Sequence, residues 1–380
     1  MNILHITPDL NFAINFVKPI CIEQKKLGYK VDVISTSAFY NDKGAQHIEK
    51  LWNEKSGFII KLLVLNLRFR KFEWSLYSSY RTYYRLLKSD YYDFIIFHTA
   101  VDSLIPMLLA RVFTKSKRVY FNHGVSSLGY SGVVKYILNC IEKINLNLSD
   151  KAFTISPSMQ AALSEINKKV ISVCILPGSA CGVDLVANSY DDLIVKRISA
   201  KNKLKLTNYK KIVLYVGRPV KRKGIYDLIE AWIEMDLGDD YLLLLVGPSG
   251  QDLSVNIENY SNIRCVGYQT NVNDYYLASD LLCVPSYHEG LGYIYLEAAV
   301  CGCIPISSKI PGPTDFVIDN ITGLTVTPRN IKEIIAKLNY ILSDNNKQNE
   351  ISKATFNSSK IFDRRVIAPK LAKELISITD

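Results

Sequence analysis

Leu281-Leu282-Cys283-Val284-Pro285-Ser286-Tyr287-His288-Glu289-Gly290-Leu291-Gly292-Tyr293-Ile294-Tyr295-Leu296-Glu297-Ala298-Ala299 runs from four apolar residues through a glycine loop into a helical pattern. A short, wholly apolar run closed by Pro and Gly is what a strand covered on both faces requires. Passing straight from it into a helix marks a βα unit of a parallel sheet, where ligands bind at the carboxyl ends of the strands. The loop is therefore a candidate site. Gly290 and Gly292 let backbone approach a ligand closely, and the helix start near Gly292 offers free N–H groups and a positive dipole end to phosphate. Glu297, about one turn into the helix, is placed to accept two hydrogen bonds from a vicinal diol such as a ribose. Glu289, on the loop, points toward whatever the phosphate carries. The plain alternative for Glu297 is a carboxylate that favours the first helical turn.

The same grammar extends in both directions. Gly217-Arg218-Pro219-Val220-Lys221-Arg222-Lys223-Gly224 follows a β-rich run at residues 212–216 and precedes a helical pattern at 226–235. Its cations, between two glycines, make a loop able to grip a diphosphate, Arg by a planar fork and Lys by a compact charge. Further strands are expected at 242–246, 263–266 and 304–307. The chain opens with Asn2-Ile3-Leu4-His5-Ile6, a helix over 16–27 ended by Gly28, and a strand at 30–34; strands at 94–98 and 118–122 follow. Two doubly wound α/β domains are expected, joined by a polar connector at 186–210. Residues 68–85, RFRKFEWSLYSSYRTYYR, mix cations with aromatic rings on an expected helix running to Lys88. Such a stretch suits a membrane interface or, equally, packing against its own sheet.

The 380 residues are 48% hydrophobic and 22% charged, which excludes disordered, collagenous and coiled-coil classes. No apolar stretch approaches the ~20 residues of a bilayer span, and the N-terminus does not read as a signal peptide. Eight cysteines without a C-x-x-C pair support neither a disulfide frame nor a zinc site; Cys301-Gly302-Cys303 has no second pair of ligands nearby. They read as small apolar residues of a cytoplasmic protein. Charge is one-sided. Residues 1–170 carry 23 Lys and Arg against 13 Asp and Glu, whereas the remainder carries 23 against 23, so the net +10 belongs to the first half. An anionic partner for that half is expected: a nucleic acid, an acidic membrane surface or a phosphorylated lipid.

Glu289 and Glu297 eight positions apart, Gly217-Arg218 with Lys223-Gly224, and the stretch PSYHEGLGYIYLEAAVCGCIPISSKIPGPTDFVIDNITGLTV resemble the retaining glycosyltransferases of family 4, which have the GT-B fold. Weaker echoes lie at Tyr91-Tyr92-Asp93-Phe94-Ile95-Ile96-Phe97-His98, Phe121-Asn122-His123-Gly124 and Ser149-Asp150-Lys151-Ala152-Phe153-Thr154-Ile155-Ser156. Leu176-Pro177-Gly178-Ser179-Ala180-Cys181-Gly182-Val183-Asp184 and Ile310-Pro311-Gly312-Pro313-Thr314-Asp315 look most like members that extend bacterial surface polysaccharides (capsule, O-antigen, lipopolysaccharide) on polyprenyl-diphosphate carriers. The resemblance implies two Rossmann-like domains facing a central cleft. An acceptor-binding domain would span 1–190, with a C-terminal helix at about 362–380 packing back on it, and a nucleotide-sugar domain would span 206–361.

By the same resemblance, Arg218 and Lys223 bind the donor diphosphate and neutralise the leaving nucleotide. Gly290, Leu291, Gly292 and Tyr293 cradle the phosphates, Glu297 holds the ribose hydroxyls, Glu289 holds the donor sugar, and His123 lies near the transferred sugar. His98 is either a second site residue or support for the neighbouring loop. The base-recognition loop is Gly267-Tyr268-Gln269-Thr270, whose backbone contacts leave the nucleotide open, with UDP expected. In place of the Gly-Gly turn that many members carry after the first strand, this chain has Thr7-Pro8-Asp9-Leu10-Asn11-Phe12-Ala13.

Metal-using sugar transferases usually carry Asp-x-Asp, and no two aspartates here stand two positions apart. Protein cations then have to stabilise the departing diphosphate, so neither metal nor other cofactor is expected. The acceptor hydroxyl would attack on the face the diphosphate leaves, the phosphate taking the proton. A glycan on a lipid diphosphate as acceptor also gives the basic half its reason, namely peripheral contact with the inner face of an anionic cell membrane. Two other classes compete. A GT-B-fold sugar-nucleotide epimerase would bind the same donors but needs an acid/base pair and no basic half. A nucleic-acid-binding protein accounts for the charge but leaves two carboxylates facing a polyanion. A dehydrogenase fits worse, since Tyr295 stands where the third glycine of its fingerprint belongs.

Overall fold

The computed structural model describes residues 1–36, 61–64, 74–89 and 91–377, the side chains of 61–64 and 74–76 excepted. The chain divides into two compact units, Met1–Gly182 with Arg364–Asp380, and Val183–Asp363.

The first unit is built on β1 (Asn2–Thr7), β2 (Lys30–Ser35), β3 (Lys61–Val64), β4 (Phe94–His98), β5 (Lys117–Asn122), β6 (Lys151–Thr154) and β7 (Ser172–Cys174). All pairings are parallel, in the order β3-β2-β1-β4-β5-β6-β7. The second unit uses β8 (Lys211–Val216), β9 (Tyr241–Val246), β10 (Ile263–Cys265), β11 (Leu281–Val284), β12 (Ile304–Ser308) and β13 (Leu324–Val326), again parallel, in the order β10-β9-β8-β11-β12-β13. Each sheet starts in its middle, winds outward one way and then the other. The winding reverses between β1 and β4, and between β8 and β11; there the loops diverge and leave a crevice at the carboxyl edge.

The strands are apolar along their length because helices cover both faces. All five residues of β4 are buried, as are five of the six in β9. Helix Ile225–Met235 turns Ile225, Leu228, Ile229 and Trp232 inward, the spacing of one helical stripe. Helix Arg364–Glu374 returns to the first unit and packs on helix Lys18–Lys26, with Ile367, Ala368, Leu371 and Ala372 buried. Lys370 Nζ donates to the Leu176 carbonyl (2.9 Å) and Lys151 Nζ to that of Ser377 (2.9 Å), holding the returning segment.

Three expectations change. The stretch read as a connector contains helix Tyr190–Lys203, capped by Ser189, whose side chain accepts from the Asp192 N–H; it belongs to the second unit, which begins at Val183 rather than 206. The helix expected over 16–27 is a short turn Leu10–Phe12, a π turn Ala13–Val17 and helix Lys18–Lys26. Pro19 has no N–H to offer the ladder, and the Asn15 carbonyl accepts instead from Cys181 Sγ at 3.3 Å. Of the aromatic basic stretch, residues 68–73 lie outside the described residues. The rest is helix Trp74–Lys88, which buries Tyr83 and Leu87 in the core while Tyr77, Arg81, Tyr84 and Arg85 stand exposed.

Candidate functional site

In the second unit the sequence-predicted residues converge at the carboxyl edge. The loop after β8 closes in a 3-10 turn, Lys221–Lys223, and Gly224 in the left-handed region (φ 69°) starts helix Ile225–Met235. A Cβ on Gly224 would meet the Pro285 carbonyl oxygen at 2.2 Å, so this loop lies directly on the one after β11. The Tyr287 N–H donates to the Arg222 carbonyl (2.8 Å), and the Tyr287 hydroxyl donates to both Asp227 oxygens (2.9 Å each). Arg329 stacks on the Tyr287 ring at 4.6 Å. Tyr215, buried on β8, donates to the Arg218 carbonyl (2.9 Å) and steadies the other end of the cationic loop.

Within this frame Lys223 Nζ pairs with Glu289 Oε1, which also accepts from Ser286 Oγ at 2.8 Å. Arg218 is exposed and its guanidinium pairs with no carboxylate among the described residues. His288 beside them is held below its ordinary pKa, first by burial and then by Arg222 and Lys223, with Glu289 opposing. The glycine segment is set by a left-handed residue and a close backbone approach. Gly292 (φ 74°) precedes helix Tyr293–Val300, and a Cβ on Gly312 would fall 1.4 Å from the Gly290 carbonyl oxygen. Glu297 Oε2 accepts from the Tyr276 hydroxyl at 3.0 Å. The segment Gly267 to Thr270 joins the same edge: the Gly267 carbonyl accepts from the Gly247 N–H (2.9 Å), while Tyr268 is exposed.

In the first unit, His123 follows β5 and, partly buried, ends a chain of rings whose other members, His98 and His5, are buried. His123 Nε2 lies 2.9 Å from His98 Nδ1, His98 Nε2 lies 3.0 Å from His5 Nδ1, and His5 Nε2 lies 2.9 Å from Gln24 Oε1. Burial lowers His5 to about 4 and His123 to about 3, and holds His98 well below its usual value, so all three rings are neutral near pH 7. An amide oxygen only accepts. With Gln24 Oε1 facing the ring, His5 Nε2 carries its proton, each ring donates Nε2–H to the next, and His123 keeps Nδ1 as an acceptor. Phe12 and Phe121 pack on His123 at 4.7 and 4.5 Å between centroids, which supplies the desolvation. Asn122 turns away from the site: its Nδ2 donates to Glu142 Oε1 (3.1 Å) and its Oδ1 accepts from the Gly124 N–H (2.9 Å), so it shapes the loop that carries His123. The sequence pattern missed His5, Gln24, Tyr276, Glu142 and Phe12. Each acts through a contact with a residue 12 or more positions away or, for Phe12, through an unusual turn after β1.

Residues 196–358 match the family described as "Glycosyl transferases group 1" and residues 15–174 the one described as "Glycosyltransferase Family 4". The chain carries both of these glycosyltransferase domains. It is 25% identical over 255 residues to the capsular polysaccharide biosynthesis glycosyltransferase CapM of Staphylococcus aureus, across 65% of this chain and 66% of that one. It is 21% identical over 246 residues to the Campylobacter jejuni N,N'-diacetylbacillosaminyl-diphospho-undecaprenol alpha-1,3-N-acetylgalactosaminyltransferase, across 64% of each. The chain thus spans just under two thirds of the length of these curated relatives. Among solved structures, Anabaena HepE in complex with UDP and glucose superposes with a TM-score of 0.75 over all of both chains at 18% identity, a shared GT-B fold.

Proposed function

We propose that the chain transfers a sugar from a nucleotide-sugar donor, UDP-linked, to a hydroxyl of a lipid-linked or oligosaccharide acceptor in bacterial surface-polysaccharide synthesis. The observation that carries this reading is the convergence of Arg218, Lys223, Glu289 and the Gly292 helix start on one sheet edge. The two glycosyltransferase domain matches and the names of the Staphylococcus and Campylobacter relatives support it.

In this reading the diphosphate lies against the Gly290–Gly292 backbone and the start of helix Tyr293–Val300, where the positive end of the helix dipole favours anions. Arg218 grips it, and Lys223 is drawn from Glu289 toward the more highly charged phosphates. Charge developing on the leaving oxygen then meets fixed cations, with no metal or other cofactor required. Freed of Lys223, Glu289 accepts from hydroxyls of the donor sugar; Glu297, oriented by Tyr276, accepts from the ribose. His123 offers Nδ1 as an acceptor to a sugar hydroxyl. By the resemblance to retaining transferases, the acceptor hydroxyl attacks on the face where the diphosphate departs, retaining configuration, and the phosphate takes its proton. The basic, aromatic surface of the first unit supports a lipid-linked acceptor and peripheral attachment to the inner face of the cell membrane.

The test is turnover of a panel of nucleotide sugars with a polyprenyl-diphosphate glycan acceptor, in excess chelator. Release of UDP and an α-linked product under chelator is expected. Loss of turnover that only magnesium or manganese restores would overturn the metal-free reading, and interconversion of the donor sugar without transfer would favour an epimerase.

A further inference from the structure

At the opposite, amino edge of the second-unit sheet lies a cavity of about 220 Å³ that the transfer reaction does not use. Lys211 opens β8 and Val216 closes it, so about 17 Å of strand separates this cavity from the cationic loop. Its lining includes Arg197, Lys201, Lys211, Asp280, Gln348 and Ser352.

Three cations face one carboxylate here, and that carboxylate is already engaged. Asp280 Oδ2 accepts from the Ile212 N–H at 2.8 Å; its oxygens lie 3.8 Å from Arg197 Nη2 and 3.7 Å from Lys201 Nζ. Arg197 spends Nη1 on the Cys301 carbonyl (2.9 Å) and Nη2 on that of Ser279 (2.7 Å), tying down two helix ends. Lys211, 9% exposed, gives Nζ to Gln348 Oε1. The other end of that amide is the decisive atom. Gln348 is 6% exposed, yet its Nε2 has no hydrogen-bond partner among the described residues. A buried amide N–H₂ without an acceptor is costly, and here it lines a hollow that also receives the surplus N–H groups of two lysines. Burial holds Lys211 below the usual lysine pKa; Asp280 opposes this, and Lys201, Lys210 and Arg197 add to it.

We infer that this cavity binds a small phosphate-type oxyanion, held by Lys201, Lys211 and Gln348 Nε2. Such an anion supplies the acceptors the orphaned amide and the ammonium groups lack, and balances the charge. The volume falls below the roughly 300–1,000 Å³ of sites for drug-sized ligands, so the ligand has the size of one or two phosphoryl groups, not of a nucleotide sugar. The inference does not rest on the reaction proposed above.

The experiment is phosphate titration, followed by ³¹P line broadening and the thermal midpoint, in the full chain carrying Arg218→Ala and Lys223→Ala to silence the donor loops. Chloride and acetate at equal ionic strength serve as controls, and pyrophosphate as a second arm. Saturable phosphate binding in that background is expected, weakened about tenfold by Lys201→Ala or Gln348→Leu, the loss of one charge-assisted or otherwise unpaired donor. Lys201 is a quarter exposed at a helix end, so its variant keeps the test valid should Gln348→Leu fail to fold. Pyrophosphate tighter than phosphate would indicate a two-phosphoryl ligand, and the reverse a single one. Absence of saturable binding, an equal response to chloride or acetate, or affinity unchanged in the Lys201 variant would overturn the inference.

Discussion

Lys223 has two anions to choose between, and the donor-binding proposal depends on that choice. Paired with Glu289, it keeps a carboxylate quiet; a diphosphate of higher charge competes for it by charge-assisted hydrogen bonding. Lys223→Ala and Arg218→Ala are each expected to weaken UDP binding by about 10- to 100-fold, since a hydrogen bond to a charged group contributes about 1.5–3 kcal/mol. Glu289→Gln should lower turnover more than UDP affinity. Calorimetric titration alongside initial rates separates the two, and UDP affinity untouched in both cation variants would contradict the assignment. The histidine chain yields a prediction of a different kind. His5 and His123, held near 4 and 3 in the fold, recover an ordinary pKa of about 6.5 on unfolding. Between those values the unfolded chain binds more protons, so stability is fully present above about pH 6.5 and is lost as pH falls through that window. Removing one ring by His98→Phe should make thermal midpoint fall less steeply from pH 6.5 to 4. A slope equal to that of the native chain would show that the rings do not titrate on unfolding.

Among the elements, the glycine segment between β11 and helix Tyr293–Val300 depends on a neighbour that is distant in sequence. Gly312, at φ 95°, presses its α-carbon against the Gly290 carbonyl, where no side chain fits. Gly312→Ala adds a positive-φ cost of about 1–2 kcal/mol and a collision that pushes Gly290 and Leu291 from the proposed phosphate path. Its signature should be a lower thermal midpoint together with weaker UDP binding; full UDP affinity in a folded variant would detach this contact from the site. Glu142 plays the corresponding part in the first unit. It accepts from Tyr120 (2.7 Å) and from Asn122, and burial raises its pKa to about 7. Glu142→Ala orphans the buried Tyr120 hydroxyl proton, at about 1–3 kcal/mol, while Asn122 Nδ2 keeps its bond to the Tyr120 oxygen (3.0 Å); the loss should be read out as denaturant midpoint. The Gly-x-Gly and cationic loops were legible because their chemistry is local: residue type, φ freedom and position after an apolar strand suffice. The partners Tyr276, Gly312, Gln24 and Glu142 were not, because a hydrogen bond or a backbone approach across 20 residues leaves no local pattern.

For the whole molecule, the surplus of positive charge and a set of exposed apolar groups fall on the same unit. Tyr130, Val133, Tyr136 and Ile137 are more than half exposed on and before helix Gly132–Leu148, and Tyr77 and Tyr84 stand beside Arg81 and Arg85. Among the described residues no helix is long and apolar enough to cross a membrane. Binding to vesicles of anionic lipid at low salt is expected, with little to neutral lipid. About 1 M salt, where the screening length is ~3 Å, should release it; equal binding to neutral vesicles, or retention at high salt, would contradict electrostatic docking. Sequence alone determined that the chain forms two doubly wound α/β sheets, where their carboxyl-edge loops fall and which half carries the charge. Apolar runs, glycine positions and charge counts are properties of the chain read in order. Only the tertiary structure decided that the second unit begins at Val183, that Lys223 is held by Glu289, that three histidines form one hydrogen-bonded chain, and that Gln348 is buried beside three cations. Those facts depend on distances between segments far apart in sequence, which packing sets and order does not record.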